Sequence, residues 1–393
     1  MNLLQNRIKK FSDDCLTVDG FRKVQYDKIP YFMEMSIDYL NNQRDDYLDF
    51  VDAKIEDIIS YKGVYNSQLQ SVDLMINNKI DNVVKQFTRL IIPKLVDENF
   101  FYINNNCYVP AVYAIDYPII IKNESIKLTS TFNSISIFDK DNITNFTSID
   151  ISTYDFFQLF LDMSDPYELK LFTDYCSRKK IKPEIRSEKN ILNWYERHFY
   201  TDPNDRKLVI KDLERIFFDD YSRHLYKICY PDIKELSLKT VIIKAMEMLL
   251  SGNSPNFIDL KTKRLVFTEM LFTPFFKSIT GLVKDIRAGR KYDLLRIDQM
   301  KLIKYFTTSP DEGKKRKGLS GNHLYNFANL YSAIMQFKIN MVQPGIEQPP
   351  KEVRGVHASH FGKICPITVS SQNPGEVVSV IPTTRIDEYG RFI

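Results

Sequence analysis

The residues best able to do chemistry lie close together near the end of the chain. Within twelve positions the sequence supplies a guanidinium, two imidazoles, an ammonium and a thiol, on Arg354, His357, His360, Lys363 and Cys365. Gly362 and Pro366 lie among them and favour a turn, because glycine tolerates positive φ and proline fixes φ at about −65°. The sequence therefore predicts a compact loop that gathers cationic and hydrogen-bonding groups.

Two chemistries suit this cluster, metal binding and phosphate binding. His357, His360 and Cys365 would offer a metal three ligands, whereas a structural zinc ion takes about four and favours closely paired cysteines. Phosphate is the better match, because Arg354 can bind two oxygens at once, Lys363 adds a point charge and each imidazole can donate. A solvated loop whose histidines are satisfied within the protein is the simplest alternative.

The same stretch resembles a known motif. From Arg354 it reads Arg-Gly-Val-His-Ala-Ser-His-Phe-Gly-Lys-Ile-Cys-Pro-Ile, and Asp387-Glu-Tyr-Gly follows downstream. This is similar to a signature of the large β-type subunit of multisubunit DNA-directed RNA polymerases, which usually reads Arg-Asp-Val-His-Pro-Ser/Thr-His-Tyr-Gly-Arg-Val-Cys-Pro-Ile, with Asn-Glu-Tyr-Gly downstream. Where the family continues with Glu-Thr-Pro-Glu-Gly-Pro-Asn-Ile-Gly, this chain has a different stretch over 368–376. The departures within the motif include Ala358 in place of proline, Phe361 in place of tyrosine and Lys363 in place of arginine.

Other segments resemble the same family. Ile258-Asp-Leu-Lys-Thr-Lys-Arg is similar to the segment with which the β subunit re-enters its protrusion domain, and the Asn-turned stretch 99–115 resembles a protrusion hairpin. Lys338-Ile-Asn-Met-Val-Gln-Pro-Gly resembles the fork region's Arg-Ile-Ser-x-Leu-Gly-Pro-Gly. The basic loop around 314–317 lies where relatives have a Gly-rich basic loop near nucleic acid, although such a cluster can also simply keep a surface solvated.

Composition places the chain among globular proteins. Its 393 residues are 44% hydrophobic and 26% charged, with a formal net charge of +4, so any nucleic-acid surface must be a local patch. The five cysteines form no Cys-x-x-Cys pair, which indicates free thiols in a reducing compartment. Charged residues interrupt the early apolar run, and no apolar stretch is long enough to span a bilayer, so we expect neither a signal peptide nor contact with a membrane.

Hydrophobic periodicity predicts both helices and strands. Residues 1–95 read as mostly helical, especially 31–59 and 76–95, and 99–115 reads as strand, Asn-rich turn and strand. β-type alternation continues to about 155. Helical periodicity returns over 153–250 and again over 320–337.

Together with the resemblance, these patterns predict a mixed α+β protein of several domains, like the protrusion, lobe and fork of the polymerase β subunit. The expected divisions are a protrusion-like first part (1–128), a lobe-like insertion (129–257), a protrusion-like second part (258–335) and a fork region (336–393).

The resemblance implies a nucleic-acid surface and not a catalytic centre. These polymerases join nucleotides with Mg²⁺ ions held by an Asp triad of the β′-type subunit, and the nearest spacing here, Asp139-Lys-Asp141, lacks the flanking residues. We therefore expect no catalytic residue and no metal ligand in this chain. The residues expected to contact nucleic-acid phosphate or sugar are Lys314, Lys315, Arg316, Lys317, Lys338, Asn340, Lys351, Arg354, His357, His360 and Lys363.

The resemblance also implies partners. The family continues well beyond Glu-Tyr-Gly, whereas this sequence ends at Ile393, which would expose strand edges and apolar surface. We expect a second polypeptide carrying the C-terminal part of β, a β′-type subunit that is whole or itself split, a promoter-specificity factor, a DNA template and an RNA transcript. Split subunits are a feature of the polymerases of giant tailed bacteriophages, so we expect the protein in the cytoplasm of an infected bacterium or in the virion. A truncated full-length β subunit is the plainer alternative.

Two other functions fit the same residues. A β-like decoy or accessory protein would bind host polymerase subunits, and a structural protein of the virion or of a nuclear shell would carry basic loops without activity. For a polymerase subunit, we also expect resistance to rifampicin, because Met335 lies near a position that is usually polar and Asn340 where serine is usual.

Overall fold

The chain forms two compact units, shown by a computed structural model. One unit consists of Met1–Ile115 and Phe257–Ile393, and the other is the intervening Asp116–Asn256. The residues that the structure describes are 18–43, 48–61, 64–65, 67–78, 83–96, 100–110, 112–122, 124–138, 143–147, 149–183, 188–199, 206–252, 256, 258–267, 320–324, 338–341, 351–369, 375, 377–381 and 383–393.

The described elements are both helices and strands, so the predicted α+β class is confirmed. The helices are α1 (Val18–Asp27), α2 (Ile29–Gln43), α3 (Thr153–Phe160), α4 (Pro166–Arg178), α5 (Glu188–Phe199), α6 (Arg206–Phe217), α7 (Asp220–Cys229) and α8 (Leu238–Leu250). Short 3₁₀ helices cover Leu260–Thr262, Lys351–Arg354 and Ala358–His360.

The strands lie mainly before α3 and after α8. They are β1 (Leu48–Ile58), β2 (Leu69–Asn78), β3 (Val83–Pro93), β4 (Phe101–Ile103), β5 (Asn106–Pro110), β6 (Val112–Asp116), β7 (Ile119–Lys122), β8 (Ser125–Thr129), β9 (Ser134–Ile137), β10 (Ile143–Phe146), β11 (Ile149–Ser152), β12 (Lys263–Val266), β13 (Ser320–Leu324), β14 (Lys338–Asn340), β15 (Ile364–Val369) and β16 (Val377–Val380).

The first strands correct the prediction that residues up to 95 are mostly helical. Helices α1 and α2 agree with it, but the chain then forms the antiparallel sheet β1-β2-β3. Asp73 and Arg89 lie directly opposite each other on β2 and β3, and the guanidinium donates to both carboxylate oxygens, at 2.6 and 2.5 Å. Mixed apolar and charged residues fit either period, so pairing between consecutive strands decided the structure.

The predicted hairpin after this sheet is confirmed. Strands β4 and β5 are antiparallel, and the turn between them holds Asn104 at φ 50° and Asn105 at φ 62°. Asparagine tolerates this left-handed region better than most residues, which suits two-residue hairpin turns.

The helix predicted over 320–337 is wrong at its start, because 320–324 form β13. This strand pairs antiparallel with β5, with Gly321 opposite Val109. Glycine is a poor helix former, and the exposed edge of the hairpin supplies hydrogen-bonding partners for an extended strand. The rest of that predicted helix, 325–337, lies outside the described residues.

A five-stranded sheet brings together distant parts of the first unit. Its strand order is β12-β6-β14-β16-β15, with β14 parallel to β6 and antiparallel to β16. The apolar residues packed in this region include Val112, Leu265, Ile339 and Val380, each 1% exposed or less. This sheet supports the cationic motif, because its strand β15 begins directly after Lys363 of that motif.

The second unit combines an antiparallel sheet with helices. Strands β7 to β11 pair in sequence order, and α3 to α8 follow, as the helical periodicity over 153–250 predicted. Capping residues start two of these helices: Asp219 and Ser237 each accept a hydrogen bond from a backbone N–H of the first turn. Among the described helices of the whole chain, none is both long and apolar enough to cross a lipid bilayer.

Candidate functional site

The cationic motif folds as a tight turn, here named the docked turn and defined as residues 351–363. Two 3₁₀ helices, Lys351–Arg354 and Ala358–His360, form most of it, and β15 begins just afterwards. Val353 is 3% exposed and anchors the first helix in the core. Gly375 lies so close that an added Cβ would meet the Val353 carbonyl oxygen at 2.0 Å, so only glycine fits there.

Both imidazoles of the docked turn form hydrogen bonds within the protein. The Nε2 atom of His360 lies 2.7 Å from the carbonyl oxygen of Ile258 and must donate, because a carbonyl only accepts. The Nδ1 atom of His360 lies 3.5 Å from the His357 N–H. The Nδ1 atom of His357 accepts from the Ser359 N–H at 3.2 Å and lies 2.9 Å from the Ser359 hydroxyl. The histidines therefore shape the turn.

The docked turn is held against a distant segment, residues 258–262. The Leu260 N–H donates to the Ser359 hydroxyl at 2.9 Å, in addition to the bond between His360 and Ile258. The Asp259 carboxylate caps the 3₁₀ helix by accepting from the Lys261 N–H at 3.0 Å, and it lies 3.5 Å from His357 Nδ1. Two stretches that resemble the same family, far apart in sequence, thus meet in the fold.

Lys363 closes the docked turn with a fixed backbone and a partly buried side chain. Its carbonyl oxygen accepts from the Ile381 N–H at 2.8 Å and from the Thr384 hydroxyl at 3.1 Å. Its ammonium lies 5.9 Å from the centre of the Phe392 ring. Burial and, to a smaller degree, the positive charge of Lys261 lower the pKa of the Lys363 ammonium, because both disfavour its charged form.

The downstream Asp-Glu-Tyr-Gly motif forms a second turn. The Asp387 carboxylate accepts from the N–H groups of Tyr389 and Arg391, at 3.0 and 2.8 Å, and from Arg391 Nε at 2.6 Å. Gly390 has φ +87°, and an added Cβ would meet the Leu265 carbonyl oxygen at 2.1 Å. The glycine of the motif therefore permits close contact with β12.

A buried ion pair joins this second turn to the start of the chain. Lys28 Nζ lies 3.4 Å from the Glu388 carboxylate, and the two side chains are only 10% and 11% exposed. The same ammonium lies 5.5 Å from the centre of the Tyr389 ring. Burial, together with the charges of Glu388 and Asp387, raises the pKa of Tyr389 to about 12. The Glu-Tyr-Gly motif has a structural role in this unit.

The structure places the predicted contact residues in different settings. Lys351 and Arg354 are exposed on the docked turn, and Lys363 is partly buried beside it. Asn340 is 6% exposed on β14, with its amide donating to the Val112 carbonyl oxygen at 3.4 Å, so it belongs to the sheet interior. Lys338 begins the same strand. The remaining predicted contacts lie outside the described residues: Lys314, Lys315, Arg316 and Lys317.

Two exposed apolar side chains on the docked turn were not among the predicted residues. Val356 is 79% exposed and Phe361 is 78% exposed. The sequence contained no sign of this exposure, because apolar side chains are more often buried than exposed. An exposed phenylalanine among cations offers a flat surface on which a nucleobase could stack.

The metal alternative was based on His357, His360 and Cys365. In the described part of the chain, no group of three His, Cys, Asp or Glu side chains is arranged to hold a metal ion. The Asp139-Lys-Asp141 spacing lies outside the described residues.

Comparison with known proteins gives partial similarities. No protein-family model matches the chain. Part of it is similar to the DNA-directed RNA polymerase subunit beta of Oltmannsiellopsis viridis, at 27% identity over 148 residues, 35% of this chain and 10% of that subunit. It is also similar to the same subunit of Aquifex aeolicus, at 36% identity over 94 residues, 23% of this chain and 6% of that subunit. The chain thus covers a tenth or less of each relative's length, and part of it is polymerase β-like.

Proposed function

We propose that this chain is a β-like subunit of a multisubunit DNA-directed RNA polymerase and that its docked turn faces nucleic acid during RNA synthesis. One observation carries the proposal: the 258–262 segment and the docked turn, which both resemble the β subunit, are joined by hydrogen bonds. Lys351 and Arg354 remain exposed on that turn. The partial similarity to two polymerase β subunits supports the same role.

In this proposal the chain positions nucleic acid and does not perform the chemistry. Arg354 and Lys351 offset the charge of backbone phosphates beside the RNA–DNA hybrid and the downstream fork, which adds affinity without reading sequence. The Mg²⁺ ions that activate the nucleotide are held by a β′-type partner. The chain is inactive alone, and the imidazoles act mainly by keeping the turn in place.

The domain assignments follow the same proposal. Residues 1–128 and 258–335 are the two parts of a protrusion-like domain, 129–257 are a lobe-like insertion and 336–393 are the fork region. A promoter-specificity factor directs the enzyme. The source is a giant bacteriophage, with the enzyme in the infected host's cytoplasm or in the virion.

The direct test is to purify the tagged chain from its native source. We expect it to bring with it a polypeptide that carries the β′-type Asp triad, together with Mg²⁺-dependent synthesis of RNA on a DNA template. Purification with host polymerase subunits, and inhibition of their synthesis, would instead indicate a decoy. Abundance in purified particles without a polymerase partner would indicate a structural protein. Either result would overturn the proposal.

Arg354 provides a test at the level of one residue. In the assembled enzyme, Arg354→Ala should shorten the lifetime of elongation complexes several-fold and reduce the slope of log affinity against log salt by about one unit, because one phosphate contact is lost. The measurement is complex lifetime across a salt titration.

Arg197→Ala, which removes an exposed arginine from α5, is the matched control and should leave the salt slope unchanged. An Arg354→Ala enzyme with the lifetime and salt slope of the unmodified enzyme would exclude phosphate contact by Arg354.

A further inference from the structure

Strand β1 is a long edge strand of the first unit. Among the described strands its one neighbour is β2, so its other side carries backbone N–H and C=O groups that a further strand could pair. The Ala53 N–H donates to the Asp52 carboxylate at 2.8 Å in an exposed bond, which places that N–H on the outer edge. Backbone groups therefore face outward at alternate residues, on Ala53, Ile55 and Asp57.

The apolar side chains of β1 are exposed as well as its edge. Ile55 is 48% exposed and Ile59 is 81% exposed, whereas Val72, directly opposite Ile55 on β2, is 1% exposed. A long edge strand with exposed apolar side chains is a template for the addition of another strand. The apolar side chains of β1 thus remain available to a neighbour that the described residues do not supply.

The sequence of β1 is complementary to itself when two copies run antiparallel. A bulge at Val51 interrupts the pairing with β2, and the regular stretch that follows, 52–58, is centred on Ile55. With Ile55 opposite Ile55 of a second copy, Lys54 lies opposite Glu56. The two-fold symmetry repeats this pair of opposite charges on the other side of the axis.

The backbone pattern agrees with this register. Because Ile55 has outward-facing groups, two copies of it can exchange both N–H···O=C bonds, and Ala53 forms the same kind of pair with Asp57. Lys54 and Glu56 then form non-hydrogen-bonded pairs, whose Cα atoms are only about 4.5 Å apart, so their side chains meet closely.

The neighbouring registers are less favourable. A shift by one residue would set outward-facing backbone groups against inward-facing ones. A shift by two residues would restore the backbone pattern, but it would place either Lys54 or Glu56 opposite itself at the axis, and like charges directly opposite each other are destabilising. The charges of β1 therefore select the register centred on Ile55.

We propose that β1 pairs antiparallel with β1 of a second copy of this chain, with Ile55 at the two-fold axis, so that the two β1-β2-β3 sheets form one continuous sheet. The interface joins identical surfaces, with opposite charges paired on both sides of an apolar centre. This pairing is independent of the proposed polymerase role.

Analytical ultracentrifugation of the full-length chain tests the pairing. The proportions of monomer and dimer should change with concentration between about 1 and 100 µM. Lys54→Glu should raise the dissociation constant about ten-fold, because it replaces two attractive cross-strand pairs by two repulsive ones. Glu56→Lys should do the same, whereas the double variant, in which the charges are exchanged, should restore the dimer.

Lys127→Glu is the matched control, since Lys127 is exposed on β8 of the other unit. It makes the same change of charge and should leave the dissociation constant unchanged. Circular dichroism of each variant checks that the fold is retained.

Cross-linking tests the register without altering the charges. Ile55→Cys should give a disulfide-linked dimer on mild oxidation, because opposed Cα atoms of a hydrogen-bonded pair lie about 5.5 Å apart, within reach of a disulfide. Asp57→Cys is the control. In this register two copies of position 57 are offset by about 13 Å along the strands, so this variant should not cross-link.

Several results would overturn the pairing. These are a chain that stays monomeric over the whole concentration range, a dimer that Lys54→Glu leaves unchanged, a double variant that does not reassociate, and equal cross-linking of Ile55→Cys and Asp57→Cys. If the chain is monomeric and Lys54→Glu instead removes a different polypeptide from the purified complex, a strand of that protein covers β1, and the second copy is excluded.

Discussion

Packing requires a glycine at position 390, the last residue of the Asp-Glu-Tyr-Gly motif. Its φ of +87° is unfavourable for any residue with a side chain, and the Leu265 carbonyl occupies the space that a Cβ would need. The Leu265 N–H also donates to the Gly390 carbonyl at 2.7 Å. Glycine therefore allows the chain to cross β12 at hydrogen-bonding distance.

Gly390→Ala should lower the free energy of unfolding by about 3 kcal/mol, because it adds a backbone clash to the cost of positive φ. Gly362→Ala is the matched control: Gly362 has φ +74° but open space around it, so this variant should cost only about 1 kcal/mol. Urea unfolding followed by circular dichroism measures both. Equal losses in the two variants would show that the close approach to Leu265 contributes nothing.

At the scale of elements, the two short 3₁₀ helices Leu260–Thr262 and Ala358–His360 position the docked turn. The bond from Leu260 to Ser359 and the bond from His360 to Ile258 hold the docked turn in place. The cations it carries are thereby presented on a rigid support, which favours binding because little ordering is left to occur.

Ser359→Ala should loosen this junction. Without the hydroxyl acceptor, the Leu260 N–H loses its hydrogen bond, which should lower the free energy of local opening at this junction by about 1 kcal/mol. The Leu260 amide should therefore exchange with solvent roughly five-fold faster. Hydrogen exchange read by NMR or mass spectrometry provides the measurement, with the exposed Ser177→Ala on α4 as control. An unchanged rate at Leu260 would mean that the junction does not depend on Ser359.

Two acids of the second unit, Glu214 and Asp232, should make contributions to its stability that change with pH in opposite directions. Glu214 on α6 accepts from the Leu238 N–H at 2.6 Å, and burial raises its pKa, so stability falls as pH rises from the unfolded-state pKa through the folded-state pKa. Asp232 pairs with Lys244, which lowers its pKa, so its contribution is present above the unfolded-state pKa and is lost as pH falls through the folded-state pKa.

Glu214→Gln should therefore make the unfolding free energy decline less as pH rises through the folded-state pKa of Glu214, whereas Asp232→Asn should make it rise less as pH increases through the acid range. The one tryptophan of the sequence, Trp194, lies on α5 of the same unit, so its fluorescence during urea unfolding reports on this unit. Shifts of the same sign in both variants would contradict the assignment.

For the whole molecule, the first unit is assembled from both ends of the sequence. The buried pair between Lys28 and Glu388 and the strand neighbours β6 and β14 join its two parts. Under the proposed role the chain works within an assembly, so that role is to be measured on the purified complex.

The assembled polymerase should continue to make RNA at rifampicin concentrations that stop a bacterial enzyme. Asn340 stands where the resembled family usually has serine, and its side chain is buried with its amide directed to Val112. Under the proposed role, we therefore expect the position to lack the serine hydroxyl that the family usually presents there. The assay is run-off transcription with and without rifampicin, with the bacterial enzyme as a sensitive control, and inhibition of both enzymes at the same concentration would refute the expectation.

Local chemistry made some features predictable from the sequence by itself. The consecutive Asn104 and Asn105 indicated a hairpin turn, helical periodicity indicated α3 to α8, and the cationic motif indicated a turn with a family resemblance. In each case the information lies within a few neighbouring residues, where backbone preference and side-chain period act directly.

The tertiary structure alone decided the rest. It made strands of Leu48–Ile58, Leu69–Asn78 and Val83–Pro93, placed Asn340 inside a sheet, and turned His360 toward Ile258. The strands depend on pairing with neighbouring strands, and the placements of Asn340 and His360 depend on contacts with residues distant in sequence; local patterns that suit either a helix or a strand contain no information about either partner. The energy of burial and of satisfied backbone hydrogen bonds, gained only when the distant segments meet, selected one arrangement.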